Sequence, residues 1–177
     1  MLQRPPLRAV LLDRDGTLIR DVPYNGDPGR VVPMPSARLA LDRLRAAGVR
    51  VAVVSNQSGV GRGLLSLEQV GAVNRRVDEL LGPLEGFFVC PHVPSDTCDC
   101  RKPQPGLMLQ AAAALGVEPT SCAVIGDIGA DVDAATRAGA RPILVPTPET
   151  REDEVARAPE TASSLAEAVE MLLAGAR

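Results

Sequence analysis

Acidic side chains follow two apolar runs of the sequence, at a spacing that suits metal and phosphate chemistry. Asp13 and Asp15 come directly after RAVLL, and Asp127 and Asp131 follow SCAVIG. Residues two apart in an extended chain point the same way, so Asp13 and Asp15 are expected to face one site. Carboxylates gathered at the ends of buried strands are costly unless a cation neutralises them. A hard divalent ion such as Mg²⁺ would do so, together with substrate phosphate oxygens.

A second group of metal-binding side chains lies within one short, proline-rich stretch. Cys90, His92, Cys98 and Cys100 make a Cys₃His set, which suits tetrahedral Zn²⁺. Four protein ligands leave no open position, so this zinc site is expected to be structural. The alternatives are reduced, unrelated cysteines or a disulfide. Cys122 lies in an apolar run and is predicted to be a small buried core residue.

The chain must position these groups with strands and helices that alternate. Helix 37–48 has Ser36 before it as a candidate N-cap, and helix 67–81 has Ser66 as N-cap with Gln69 three residues on. The alternation predicts an α/β fold with a doubly wound parallel sheet, helices on both faces and one domain over 1–177. The predicted strands are 8–12, 49–54, 86–90, 121–126 and 141–146; the other predicted helices are 105–116, 131–138 and 165–174.

In such folds ligands bind at the carboxyl ends of the strands. An ion that contacts both Asp13 and Asp127 therefore requires the first and fourth strands to be neighbours. The polar segment 147–162 carries no predicted strand or helix.

Composition excludes several classes of function. The 177 residues carry a net charge of −3 and only 2% aromatic residues, which argues against a nucleic-acid partner. No apolar run approaches the roughly 20 residues that span a bilayer, so no membrane partner is expected. The N-terminus has no signal-peptide pattern. We therefore expect a cytoplasmic protein with reduced thiols. We also expect it to be a monomer.

Four segments resemble, in order and spacing, the motifs of the haloacid dehalogenase (HAD) superfamily of phosphotransferases. They are LLDRDGT, VVSNQSG, RKPQPG and VIGDIGAD, and they span roughly residues 8–146. The resemblance implies that Asp13 is the nucleophile, forming an aspartyl-phosphate, and that Asp15 protonates the leaving oxygen and then activates water. It also implies a Mg²⁺ site made of Asp13, Asp127 and the main-chain carbonyl of Asp15, with Asp131 orienting the site.

Neutralising the transferring phosphoryl group requires donors and positive charge. Ser55 and Asn56 are expected to donate hydrogen bonds to it, and Lys102 to supply the charge. A cysteine phosphatase would need an arginine six residues after its cysteine, and none of the four cysteines has one. A phosphohistidine mechanism would need His92, the single histidine, which the zinc set already uses.

The spacing between the motifs leaves little room for a cap domain, so the chain resembles a capless member of the superfamily. The substrate site is then expected to form from three loops, 18–35, 57–65 and 91–104. Zinc would stiffen the third loop and so aim Lys102.

Within the superfamily the sequence resembles two groups, the D-glycero-D-manno-heptose 1,7-bisphosphate phosphatases and the histidinol-phosphate phosphatases. The segments SNQSGVGRG, RKPQPG and RDVPYNGD favour the heptose group. Ile128 departs from the lysine or other polar residue usual just after the acid of the fourth motif. A non-catalytic sugar-phosphate binding module remains an alternative, whereas a receiver domain does not fit DRDGT. Expected substrate contacts are Asp21, Tyr24, Asn56, Gln57, Ser58, Arg62 and Arg101.

Overall fold

A five-stranded parallel sheet forms the centre of the computed structural model, which describes residues 5–175. The spatial order is β3-β2-β1-β4-β5, and β1 pairs with both β2 and β4. Leu12 at the end of β1 lies opposite Val53 and Ile125. The predicted neighbourhood of the first and fourth strands is confirmed. The strands are β1 (Ala9–Leu12), β2 (Arg50–Asn56), β3 (Phe87–Cys90), β4 (Cys122–Gly126) and β5 (Arg141–Leu144).

Helices cover both faces of this sheet, as the predicted doubly wound fold requires. One core cluster joins Val10 and Leu12 with α1, α2 and α6, and the other joins Ala9 and Leu11 with α3 and α4. Because both faces are covered, β1 is buried along its whole length and reads as a continuous apolar run. The helices are α1 (Ala37–Ala46), α2 (Leu67–Leu81), α3 (Gly106–Ala114), α4 (Gly129–Ala138), α5 (Glu152–Arg157) and α6 (Leu165–Ala174).

Local sequence patterns predicted most helix ends to within two residues. The Ser66 hydroxyl accepts a hydrogen bond from the Gln69 amide, and the Gln69 side chain accepts from the Ser66 amide, so the predicted capping box is confirmed. Ser36 occupies the N-cap position of α1, but its side chain makes no capping hydrogen bond, so that part of the expectation was wrong. Helix α4 begins at Gly129, two residues before the predicted start.

Two further features differ from the sequence-based expectation. Strand β2 continues to Asn56, which places the polar pair Ser55 and Asn56 inside the strand end. Helix α5 lies within the segment predicted to have no regular structure. This short helix has no buried residue, so it leaves no apolar stripe in the sequence. Its first turn carries three acids, which the positive end of the helix dipole stabilises.

The carboxyl edge of the sheet is covered by loops alone. Between Asp15 and β2, the described chain contains only isolated bridges, a short 3₁₀ helix (Pro28–Arg30) and α1. No cap domain is present in residues 5–175, as expected. No helix in that range is long and apolar enough to cross a membrane.

Candidate active site

A cleft of about 230 Å³ opens at the carboxyl ends of β1, β2 and β4. All three predicted loops contribute to it, together with the acids that follow β1 and β4. The cleft therefore brings together residues that lie far apart along the chain. Its walls are formed by Asp13, Arg14, Asp15, Asp21, Val22, Tyr24, Asn25, Asn56, Gln57, Ser58, Gly59, Lys102, Asp127 and Ile128.

The ammonium group of Lys102 lies at the floor of this cleft between two carboxylates. Its Nζ is 2.7 Å from Oδ1 of Asp13 and 2.6 Å from Oδ1 of Asp131, and it also donates to the main-chain oxygen of Val54 at 3.0 Å. Lys102 is only 3% exposed. A lysine is rarely buried to this extent without paired charges, so these contacts account for its position.

Burial of the acids changes their protonation. Desolvation raises the pKa of Asp13 from its ordinary value of 3.8 to about 7, although the Lys102 ammonium opposes the rise. Desolvation and repulsion by Asp13 and Asp131 raise the pKa of Asp127 to about 9. Burial alone would lower the pKa of Lys102, but the carboxylates of Asp13 and Asp131 outweigh it and hold that pKa above its ordinary value. The acids outnumber the cation, so the cluster favours an added positive charge.

Asp131 uses both carboxylate oxygens within the protein. Oδ1 contacts Lys102, and Oδ2 accepts a hydrogen bond from the main-chain amide of Ile128 at 3.2 Å. Asp131 is 1% exposed and is not one of the residues that line the cleft. These contacts suit the orienting role expected for it.

The Asp15 side chain is held from two sides. Nη2 of Arg14 donates to its Oδ2 at 3.0 Å, and Nε2 of Gln57 donates to the same oxygen at 2.8 Å. The same Nε2 lies 2.8 Å from the Ser55 hydroxyl oxygen. Ser55 is 1% exposed and is not one of the residues that line the cleft. Ser55, which was expected to donate a hydrogen bond to the phosphoryl group, thus lies behind Gln57.

The amide group of Asn56 binds the backbone of the lysine. Its Nδ2 donates to the main-chain oxygen of Lys102, and its Oδ1 accepts from the main-chain amide of Lys102, both at 3.0 Å. Asn56 lines the cleft, as expected of a substrate contact. Its reciprocal pair of hydrogen bonds also joins β2 to the 91–104 loop and so helps to position Lys102.

The remaining expected contacts divide into two sets. Asp21, Tyr24 and Ser58 line the cleft, whereas Arg62 and Arg101 are absent from its lining in the described part of the chain. Arg62 is exposed, and Nη1 of Arg101 donates to the main-chain oxygen of His92 at 3.2 Å. The structure brings the first three together and leaves the two arginines outside.

Two polar side chains of the cleft, those of Arg14 and Asn25, were not predicted from the sequence. Arg14 lies between two predicted catalytic acids, a position that could have drawn attention to it. Asn25 carries no such signal; it is 6% exposed, and its Oδ1 accepts from the Asp27 amide at 2.9 Å. Outside the lining, the Thr150 hydroxyl donates to the main-chain oxygen of Asp127 at 2.6 Å. That contact ties the segment before α5 to the acid after β4.

The four predicted zinc ligands converge at the end of β3 and in the loop that follows it. Cys90 Sγ lies 3.4 Å from His92 Nδ1, 3.9 Å from Cys98 Sγ and 3.0 Å from Cys100 Sγ, and all four ligand atoms lie within 4.8 Å of one another. Ligands at tetrahedral zinc with bonds of ~2.3 Å are about 3.8 Å apart, so the set fits this ion. The cysteines are free thiols, and Cys122 lies apart from the cluster, buried in the core as predicted.

Comparison with known proteins identifies the family. A model of HAD-hydrolase-like proteins matches residues 99–172. The chain is 38% identical over 143 residues to D-glycero-beta-D-manno-heptose-1,7-bisphosphate 7-phosphatase of Pseudomonas aeruginosa, covering 78% of this chain and 80% of that protein. The chain belongs to the HAD superfamily of hydrolases. A relative of the same name from Bordetella bronchiseptica is 34% identical over 146 residues, covering 80% of this chain and 82% of the relative.

Solved structures show the same similarity for this HAD hydrolase. The crystal structure of D,D-heptose 1,7-bisphosphate phosphatase from B. bronchiseptica, in complex with magnesium and phosphate, superposes with a TM-score of 0.84 at 30% identity. The match covers 95% of this chain and 99% of the other. The shared architecture thus extends over nearly the whole chain.

Proposed function

We propose that this HAD hydrolase removes the 7-phosphate of D-glycero-D-manno-heptose 1,7-bisphosphate through an aspartyl-phosphate on Asp13, with Mg²⁺ bound. The observation that carries the reaction type is the position of Lys102, buried between Asp13 and Asp131 beside Asp127. The heptose substrate is supported by the relatives, which carry this substrate in their names.

The acid cluster fits a divalent cation. Ligand oxygens of Asp13, Asp127 and Asp131 lie within 4.8 Å of one another. Because Asp131 already contacts Lys102 and the Ile128 amide, we propose that Asp13, Asp127 and the main-chain carbonyl of Asp15 would hold Mg²⁺. When bound, Mg²⁺ would supply the positive charge that lets a carboxylate approach a phosphate dianion.

The side chains then divide the reaction between them. A carboxylate oxygen of Asp13 attacks phosphorus, and Lys102 offsets charge on the transferring group from its place beside Asp13. Asp15 donates its proton to the leaving sugar oxygen as the phosphorus–oxygen bond breaks. The same Asp15 then takes a proton from water, whose oxygen attacks phosphorus and releases phosphate from Asp13.

The walls of the cleft suit a hydroxylated substrate. Asp21 can accept hydrogen bonds from sugar hydroxyls, and Asn25 and Ser58 offer polar groups nearby. The Tyr24 side chain is half exposed at the cleft and presents a ring that can cover an apolar face of the sugar. We propose these residues as the substrate contacts. Arg62 and Arg101 remain candidate substrate contacts, although they do not line the cleft in this structure.

A direct comparison of substrates tests the proposal. Purified protein with Mg²⁺ is assayed for phosphate release from heptose 1,7-bisphosphate and from histidinol phosphate side by side. We expect a higher kcat/KM on the heptose, with the heptose 1-phosphate as product. Faster release from histidinol phosphate would overturn the substrate assignment. Binding of both compounds without phosphate release would indicate a non-catalytic binding module instead.

Asp13→Asn tests the nucleophile. The amide cannot form the aspartyl-phosphate, so we expect turnover to fall by about 10⁴-fold or more. The matched control is Asp133→Asn, because Asp133 lies on the exposed side of α4. The control should keep wild-type turnover. Near-normal activity in Asp13→Asn, in a sample that is free of wild-type enzyme, would refute the mechanism.

A further inference from the structure

Arg14 is buried beside the catalytic acids, yet no step of the mechanism uses it. The residue is 1% exposed, although its guanidinium stays charged at every physiological pH. Burying such a group is unfavourable unless its donors are paired. The partners of Arg14 therefore indicate why its side chain points inward from the loop instead of into solvent.

The partners lie on opposite sides of the guanidinium. Nε and Nη2 of Arg14 donate to the two carboxylate oxygens of Asp15, at 3.2 Å to Oδ1 and 3.0 Å to Oδ2. Nη1 donates to Oδ1 of Asn74 at 2.8 Å. The planar fork of an arginine matches a carboxylate in this two-point geometry, which a lysine cannot reproduce.

Asn74 provides a fixed support for this arginine. It lies within α2, 60 residues away along the chain, and is 8% exposed. The neighbouring helix residues Val73 and Val77 are buried in the core, so α2 cannot shift freely. Asp15, in contrast, lies in a loop, and its side chain is 23% exposed at the cleft. The contact chain thus runs from a packed helix to an acid on a loop.

We infer that Arg14, supported by Asn74, is a positioning residue that aims the Asp15 carboxyl group at the leaving oxygen. The inference rests on the proposed role of Asp15 as general acid. A proton is transferred well only over a short, aligned path, and small displacements reduce the rate strongly. Gln57 holds one oxygen of Asp15 as well, but a single donor leaves the carboxylate free to rotate.

The test compares two leaving groups. Arg14→Lys and Asn74→Leu are assayed on the heptose bisphosphate and on p-nitrophenyl phosphate. A sugar alkoxide needs a proton to leave, whereas p-nitrophenolate does not. We expect kcat on the sugar phosphate to fall about 10- to 100-fold with little change in KM. The initial burst of p-nitrophenol should be nearly as fast as in the wild type.

Two controls separate positioning from general damage. Arg76→Lys changes a half-exposed arginine of α2 that pairs with Glu79, and it should leave both reactions unchanged. Asn74→Asp keeps an oxygen that can accept from Arg14 and should restore most of the activity that Asn74→Leu loses. Equal losses on both leaving groups, or no rescue by Asn74→Asp, would overturn the inference.

A crystal structure of Asn74→Leu gives a readout that does not depend on turnover. We expect the Arg14 and Asp15 side chains to leave the positions seen here. An unchanged Asp15 carboxylate would contradict the inference even if Arg14→Lys failed to fold. If the wild type rejects the heptose but hydrolyses another alkyl phosphate, the proposed substrate fails, and the leaving-group comparison is made with that ester.

Discussion

At the scale of single residues, the site depends on which atoms share the small space around the acids. Lys102 has two carboxylate partners, Asp13 and Asp131, while Asp127 lies beside them. Gly16 also affects the site, because its backbone lies close to the Asp127 carboxylate. An added Cβ there would come 2.2 Å from Oδ2 of Asp127, so only glycine leaves that acid in place.

Gly16→Ala tests this close approach. The residue has φ +83, so alanine adds backbone strain of about 1 kcal/mol as well as the clash. We expect the Mg²⁺ concentration needed for half-maximal activity to rise about tenfold or more, since a displaced ligand weakens metal binding. Titration of activity with Mg²⁺ measures it.

Gly48→Ala is the matched control for that variant. Gly48 also has a positive φ, +68, but an added Cβ would meet no atom within 4 Å. It should lose similar stability and keep the wild-type Mg²⁺ requirement. A similar Mg²⁺ requirement in both variants would show that the contact with Asp127 does not matter.

At the scale of elements, the loop after β3 joins two predicted sites. The cluster of Cys90, His92, Cys98 and Cys100 is followed directly by Arg101 and the lysine of the cleft. The hydrogen bonds of Asn56 hold the backbone of Lys102 from the other side. We therefore expect zinc to share the positioning of Lys102 with the end of β2.

Cys98→Ser tests the structural role of zinc. Loss of one thiolate should reduce zinc from about one ion per chain to near zero and lower the midpoint of thermal unfolding. Activity should fall through kcat, since Lys102 loses one of its supports. Metal analysis and steady-state kinetics measure the two effects.

The control for the zinc variant is Cys122→Ala. Cys122 is a buried cysteine on β4, in the core and outside the zinc cluster. This variant should keep its zinc and its activity. A wild-type protein that contains no zinc after preparation without chelators would end the hypothesis.

At the scale of the whole molecule, the acid cluster should give stability an unusual dependence on pH. In the absence of Mg²⁺, Asp13 and Asp127 have pKa values of about 7 and about 9, against 3.8 for the ordinary carboxyl group. At any pH between the ordinary carboxyl pKa and these raised values, the folded state therefore binds more protons than the unfolded state. Stability should therefore fall as pH rises from about 4 to about 9.

Thermal unfolding at pH 5, 7 and 9 checks this prediction, in Mg²⁺-free buffer without a chelator that would also remove zinc. The midpoint should fall with pH, and added Mg²⁺ should raise it most at pH 9, where the acids are ionised. Asp127→Asn removes one titrating group and should flatten the decline. A midpoint that rises from pH 5 to 9 without Mg²⁺ would contradict the assignment.

The sequence by itself determined the sheet with helices on both faces and the residue types of both candidate metal clusters. Those features are local: apolar periodicity sets burial, and the acids follow their strands directly. The adjacency of β1 and β4 is not local, and the sequence required it only if one ion contacts both Asp13 and Asp127. The residues Ser66 and Gln69 also revealed the start of α2. Helix α5 was missed because it is short and buries none of its residues, so it leaves no apolar stripe in the sequence.

Only the tertiary structure decided which side chains support the reacting acids. Arg14 meets Asn74 across 60 residues, and Lys102 meets Asp13 across 89. The same packing leaves Arg62 outside the cleft and places Ser55 behind Gln57. Such contacts depend on how helices and loops pack against the sheet, a geometry to which many distant residues contribute at once. Periodicity along the chain records which residues are buried, but not which of them touch.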